Sequence, residues 1–228
     1  MENLETKNLL NLEETIAKEL LENTKYPWEV LDRIENFIIG LGSSLDSNLF
    51  EKRGDNIWIA KSAKIAPTAC IEGPTIIDEN AEIRHSAFIR GKVIVGKNSV
   101  VGNSTELKNC ILFNNTQAPH FNYIGDSILG YKAHLGAGVI LSNLRIDKAN
   151  IYIKYNKQFL NTDLRKFGAI VGDETEIGCN SVLNPGTILG RNVLVTPLCS
   201  IVGVVDEKKT VKRDGGFWQS FVFYSKFI

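Results

Sequence analysis

Residues 118 to 143 read APHFNYIGDSILGYKAHLGAGVILSN, a stretch that gathers side chains few purely structural segments need together. His120 supplies an imidazole, a group that takes up or gives back a proton near neutral pH. Tyr123 adds a hydroxyl and Asn143 an amide, both suited to bonding hydroxyls or phosphate. Gly136 and Gly138 flank Ala137 and leave its backbone accessible, although turn formation alone would also explain these glycines. By itself His120 is equally a surface imidazole bonded to backbone, and it is the neighbouring residues that favour chemistry.

What must hold these residues is legible upstream. An aliphatic side chain recurs at every sixth position through Ile59, Ile65, Ile71, Ile77, Ile83, Ile89, Val95, Val101 and Leu107. That period is foreign to the 3.6-residue helix and fits the hexapeptide β-helix. Four residues further on stand Ala63, Ala69, Thr75, Ala81, Ala87, Val93, Ser99 and Thr105, small or β-branched, as a second inward position in a narrow interior requires. The beat slips between Leu107 and Leu129, resumes through Leu135 and Leu141, and runs again from Val171 to Ile201. Three hexads per coil then predict roughly seven stacked coils.

The expected organisation is a helical segment over 1–47, the solenoid over 48–205 and a basic, aromatic tail over 206–228. Residues 144–168 keep no hexad register and read as a loop projecting from the wall, with function one reading and a solvated hairpin the other. Asn11 and Glu14 form a weak capping box before Leu12, Ile16 and Leu20. Pro27 opens a second helical stretch that Gly40 should stop, giving a small helical hairpin. The hairpin is too small to bury its own core and should dock on the solenoid or on another subunit. The tail aromatics, among them Phe217, Trp218 and Phe221, need cover, at the open solenoid end or at a subunit interface.

Composition excludes several function classes. Twenty-six basic residues balance twenty-six acidic ones, so no net field favours nucleic acid or an anionic membrane. No leader or apolar span is visible, which points to the cytoplasm. Cys70, Cys110, Cys179 and Cys199 lie far apart with no zinc-type spacing, and they read as small fillers of turns and core with no metal expected.

The runs VVGNSTELKN (100 to 109), APHFNYIGDS (118 to 127), LGAGVILSNLRID (135 to 147) and KFGAIVGDETEIGCNSVLNPG (166 to 186) make the resemblance specific. The solenoid resembles the acetyltransferase half of bifunctional UDP-N-acetylglucosamine pyrophosphorylase/glucosamine-1-phosphate N-acetyltransferase, and more closely the archaeal sugar-1-phosphate nucleotidylyltransferase/acetyltransferases. The resemblance implies an all-β solenoid in the form of a left-handed parallel β-helix, a homotrimer, and acetyl-CoA bound where subunits meet.

It also implies roles for individual residues. His120 matches the general base, Glu106 an acidic active-site position, and the Ala137 amide is the candidate donor to the thioester oxygen. Arg90 and Lys108 match cations that hold a phosphorylated sugar. Tyr123, His134 and Asn143 fall on sugar-facing positions. Ala137, Cys179 and Asn180 fall on the acetyl-CoA groove, with Lys166 and Arg165 in reach of its phosphates.

The chain departs from the family in three places, one being that the loop lysines of the archaeal relatives do not align cleanly with Lys148 and Lys154. His134 stands where the bacterial bifunctional enzyme has Asn, and the first 50 residues show no Gly-rich nucleotide loop, so uridylyl transfer is not expected. The implied reaction is acetyl transfer to the amine of a hexosamine 1-phosphate, glucosamine or galactosamine. One alternative is a non-catalytic scaffold that binds a sugar nucleotide. A zinc carbonic anhydrase on the same repeat is disfavoured, because His85, His120 and His134 lack its His-x4-His pair.

Overall fold

The computed structural model describes residues 1–213; the aromatic tail from Phe217 lies outside them. The hexad folds as the all-β solenoid it predicts, with short strands stacked in parallel on three faces. Face 1 carries Ile57–Ala60, Thr75–Ile77 and their successors, face 2 begins at Lys64–Ile65, and face 3 begins at Cys70–Glu72. Face 2 is an eight-stranded sheet, so seven coils lie within 57–205 and an eighth rung, Thr210–Val211, falls in the segment expected to be tail.

Register makes the inward columns continuous. On face 1, Ile59 pairs with Ile77, Ile77 with Val95, Val95 with Leu112, and Leu112 with Leu129, and all are buried. The second inward position does more than fill space. Ser99 and Thr116 hydroxyls both donate to the Phe113 carbonyl at 2.8 Å, and Thr105 donates to that of Ala118 at 3.1 Å, satisfying corner carbonyls that would otherwise be buried unpaired.

The slip after Leu107 has a local cause. Glu106–Leu112 and Tyr123–Leu129 each run from face 3 into face 1 without a break, and their inward residues step by five, from Leu107 to Leu112 and from Ile124 to Leu129. The tightened corners place Asn109 and Asp126 in the left-handed region, φ 48° and 47°. Ala118 supplies the inward position between them.

Face 1 is apolar on its outer side too. Trp58, Ile76, Ile94, Ile111, Ile128, Ile170 and Ile188 form a second buried column, roofed by Leu9, Leu10, Leu21, Trp28, Ile34 and Ile38 of the N-terminal segment. This is why Thr75–Ile77 and Val93–Val95 are buried at all three positions, the pattern of strands covered on both sides. Each covered isoleucine contributes about 1.5–3 kcal/mol before entropy is counted.

The N-terminal segment is helical, but its first arm is broken into single turns, Thr6–Leu9, Leu12–Glu14 and Lys18–Leu21. Asn11 caps the second of these from 3.2 Å, yet Thr15 is extended and ends it. Runs this short gain little from helix propensity, and the chain instead follows the isoleucine column. Pro27 opens a 3-10 turn, and the one sustained helix, α1 (Ile34–Ser44), passes through Gly40 without stopping. Gly42 lets α1 approach the wall, since a Cβ there would sit 2.3 Å from the Trp58 ring.

The 144–168 segment does not project. Its hairpin, Tyr152–Tyr155 with Gln158–Asn161, buries Ile151, Ile153 and Tyr155 against the outer column of face 1. Tyr155 donates to Asp206 at 2.6 Å and accepts from Asn3 at 3.1 Å, tying insertion, last coil and N-terminus together. Alternation of Ile153 and Tyr155 with Tyr152 and Lys154 is the half-buried strand pattern, which explains why the segment is laid on the wall.

Candidate functional site

Face 3 alternates inward Ile89, Leu107 and Ile124 with outward Arg90, Glu106, Lys108 and Tyr123, so strand geometry alone gathers four of the predicted residues on one surface. Arg90 Nη1 donates to Glu106 Oε1 at 2.6 Å, one rung apart. That bond, with the Glu106 charge behind it, raises the Arg90 guanidinium further above its usual value. Glu106 stands directly opposite Tyr123 in register, and Lys108 opposite Gly125. A Cβ on Gly125 would meet the Tyr123 hydroxyl and the Asn143 amide at 2.7 Å, so the glycine is what lets these two side chains close over the wall. Burial, followed by the Asp126 and Glu106 charges, pushes the Tyr123 hydroxyl up, keeping it protonated as a donor.

At the tightened corner between faces 3 and 1, Asp126 is only 6% exposed. Asn109 Nδ2 donates to its Oδ1 at 2.8 Å and Asn143 Nδ2 to its Oδ2. The carboxylate thus holds Asn143, a predicted sugar-facing residue, from behind. Burial lowers the Lys108 amine, and the Lys166 charge beside it lowers it further while Asp126 opposes. Two ammonium groups side by side over one carboxylate form a place where an anion is favoured. Sequence reading missed Asp126 and Asn109; the two five-residue steps were the available signal.

The other predicted residues stand at the opposite edge of face 3, at its corner with face 2. His120 is exposed and its ring makes no hydrogen bond among the described residues. Its backbone is fixed on both sides, by Asn122 Oδ1 at 3.2 Å and by the Gly138 amide, which donates to the His120 carbonyl at 3.0 Å. Asn122, 2% exposed, also donates to Gly136 at 2.8 Å and locks the histidine to the Gly-Ala-Gly turn. The Ala137 carbonyl accepts from Asn180 at 2.8 Å, while its own amide donates to nothing among the described residues. Gly138 adopts φ 73° and leaves room for the Asn180 side chain; Cys179, exposed, lies against Gly136.

Three expected neighbours are placed elsewhere. His134 lies on face 2, its Nδ1 2.8 Å from Glu176 Oε2 on the next rung, and not among the face 3 residues. Lys166 and Arg165 line the cleft beside Asp126, at the opposite edge of face 3 from Cys179 and Asn180. Glu106 is bonded to Arg90 and makes no bond to the His120 ring. Among the described residues no group of His, Cys, Asp and Glu is arranged to hold a metal, and no helix is long and apolar enough to cross a membrane.

Residues 71–163 match the family described as GMPPB C-terminal domain. The chain is 34% identical over 233 aligned residues to the bifunctional protein GlmU of Methanococcus maripaludis, covering 94% of this chain and 56% of that protein. It is 29% identical over 120 residues to the bifunctional sugar-1-phosphate nucleotidylyltransferase/acetyltransferase of Sulfurisphaera tokodaii, covering 53% and 27%. The chain therefore spans about half the length, or less, of the curated relatives it matches. Among solved structures, the acetyltransferase domain of PglB from Neisseria gonorrhoeae in complex with acetyl coenzyme A aligns with a TM-score of 0.27 and 18% identity, covering 80% of this chain and 64% of that one.

Proposed function

We propose that this chain, a relative of the bifunctional GlmU proteins, transfers acetyl from acetyl-CoA to the amine of a hexosamine 1-phosphate, glucosamine 1-phosphate or galactosamine 1-phosphate. One observation carries the reading: a single face of the solenoid has, at one edge, an imidazole and an Ala137 amide that are unengaged among the described residues, and a cluster of cations at the other. A phosphorylated amino sugar has the matching polarity, an amine at one end and an anion at the other.

In this reading Arg90 and Lys108 hold the phosphate, with Tyr123 and Asn143 on the sugar hydroxyls. The thioester supplies the acyl carbon that the amine attacks. As the new C–N bond forms, the C–S bond breaks, and His120 takes the proton the amine nitrogen sheds. The Ala137 amide donates to the thioester oxygen, and Cys179 and Asn180 line the pantetheine side. Nucleotidyl transfer is not part of the proposed activity.

His120, Cys179 and Asn180 are exposed on one chain, as a groove walled by a second subunit requires, and a homotrimer is part of the proposal. Thiol release from acetyl-CoA with glucosamine 1-phosphate and galactosamine 1-phosphate tests it. The expected result is release with at least one acceptor; silence with both overturns the assignment, and a monomer in sedimentation removes the second wall.

A further inference from the structure

Beyond the Lys108 and Lys166 pair, a cleft of about 700 Å³ opens between the tightened corner, the insertion and the N-terminal segment. This is the size range of sites for whole drug-sized ligands, about 300–1,000 Å³, and a hexosamine 1-phosphate held at Arg90 and Lys108 leaves it unused. Its lining sorts into three chemistries. Lys148 and Arg165 are exposed cations in no salt bridge among the described residues. Asp32, exposed on the same cleft, offers a carboxylate acceptor. Leu31, Leu144 and Leu164 supply an apolar wall.

A carboxylate can accept from the paired hydroxyls of a ribose. Cations suit phosphate, Arg165 by its planar fork and Lys148 as a point charge. Paired hydroxyls, a second phosphate and a flat apolar ring together describe a nucleoside phosphate. The Asn109–Asp126–Asn143 ladder joins the cleft floor to the sugar-facing side of face 3.

We infer that the phosphate held by Arg90 and Lys108 is the first of two, and that the cleft takes the second phosphate and the nucleoside of a nucleotide-linked amino sugar. The inference rests on the acetyltransferase reading for its sugar end. Acceptor amines on uridine diphosphate and guanosine diphosphate hexosamines are then acetylated, with at least one preferred over glucosamine 1-phosphate.

The test compares kcat/KM for UDP-glucosamine, GDP-glucosamine and glucosamine 1-phosphate in the wild type and in Lys148→Glu. A calorimetric titration with UDP and with GDP alone accompanies it. Expected are a tenfold or greater preference for one nucleotide-linked acceptor and loss of that preference through KM in Lys148→Glu. Binding of the same free nucleoside diphosphate should weaken about tenfold in the variant. Equal or better use of glucosamine 1-phosphate, or a preference that survives Lys148→Glu, overturns the inference while leaving acetyl transfer standing. Nucleotide binding that is sensitive to Lys148→Glu, without transfer to any acceptor, supports the cleft and overturns the transferase reading. Absence of binding by both free nucleotides overturns the cleft.

Discussion

Arg90 and Glu106, assigned by sequence to different tasks, are bonded to each other across adjacent coils at 2.6 Å. The pair is partly exposed, and such bridges are worth about 0–1 kcal/mol. A phosphate must compete with Glu106 for the guanidinium. Glu106→Gln releases Arg90, so KM for a hexosamine 1-phosphate should fall by up to about fivefold. A KM that rises would show that Glu106 itself holds the sugar.

His120 is exposed and its ring is bonded to nothing in the described chain, so truncating it leaves the wall unchanged. His120→Ala should lower kcat by about 10²–10⁴-fold, the usual contribution of a general base. KM for both substrates should stay within a few-fold. Full activity in steady-state thiol release would end the proposed role.

The fold was legible where side-chain period and burial coincide. Ile59 to Leu107 could be read because each sixth residue points into one narrow interior. The coils around Ala118 were hidden because two five-residue steps moved the inward position and a methyl group replaced a branched chain. Helical spacing of Leu12, Ile16 and Leu20 misled because the segment is shaped by what it covers. Ile76, Ile94, Ile111 and Ile128 recur once per coil, a signal of that covered surface which the hexad masked. On the site, strand alternation sets Arg90, Glu106, Lys108 and Tyr123 on the outer side of one face. His134 and Lys166 could not be located the same way, since face and corner depend on coil closure.

Ile94 is fully buried between face 1 and the N-terminal segment. Ile94→Ala should cost about 2–5 kcal/mol, the range for emptying a packed core site. Gly42→Ala attacks the same contact from the helix, since its Cβ would lie 2.3 Å from Trp58, and overpacking of this kind costs about 1–3 kcal/mol. Urea unfolding of each variant measures both. Wild-type stability in Gly42→Ala would mean that α1 is free to lift from the wall.

The Lys108 amine sits below the ordinary lysine range, first through burial and then through Lys166. Replacing Lys166 by Met removes the second cause and keeps the first. Lys108 should then be more protonated at any given pH and react more slowly with an amine-directed reagent. Mass-spectrometric labelling rates at pH 8 and 9 read this out. An unchanged rate would mean that the two ammonium groups are screened from each other.

Asp173 joins the N-terminal segment to the wall, and its titration should be visible in stability. It is 5% exposed, accepts from the Asn11 amide at 2.7 Å and from the Tyr131 amide at 2.8 Å, and has Arg191 Nε 3.3 Å away. Burial raises its carboxyl above the ordinary 3.8; the two amides and Arg191 oppose this and Glu174 adds to it. A folded-state pKa above the unfolded one means that the folded protein binds the extra proton. Its stabilising contribution is complete below the unfolded value and is lost as pH rises through the raised folded value. Asn has the same shape and cannot ionise. The stability of Asp173→Asn relative to wild type should therefore improve steadily from about pH 3 toward neutrality. Paired urea titrations across that range measure the difference, and a difference independent of pH would show that the two amides and Arg191 outweigh burial at this carboxylate.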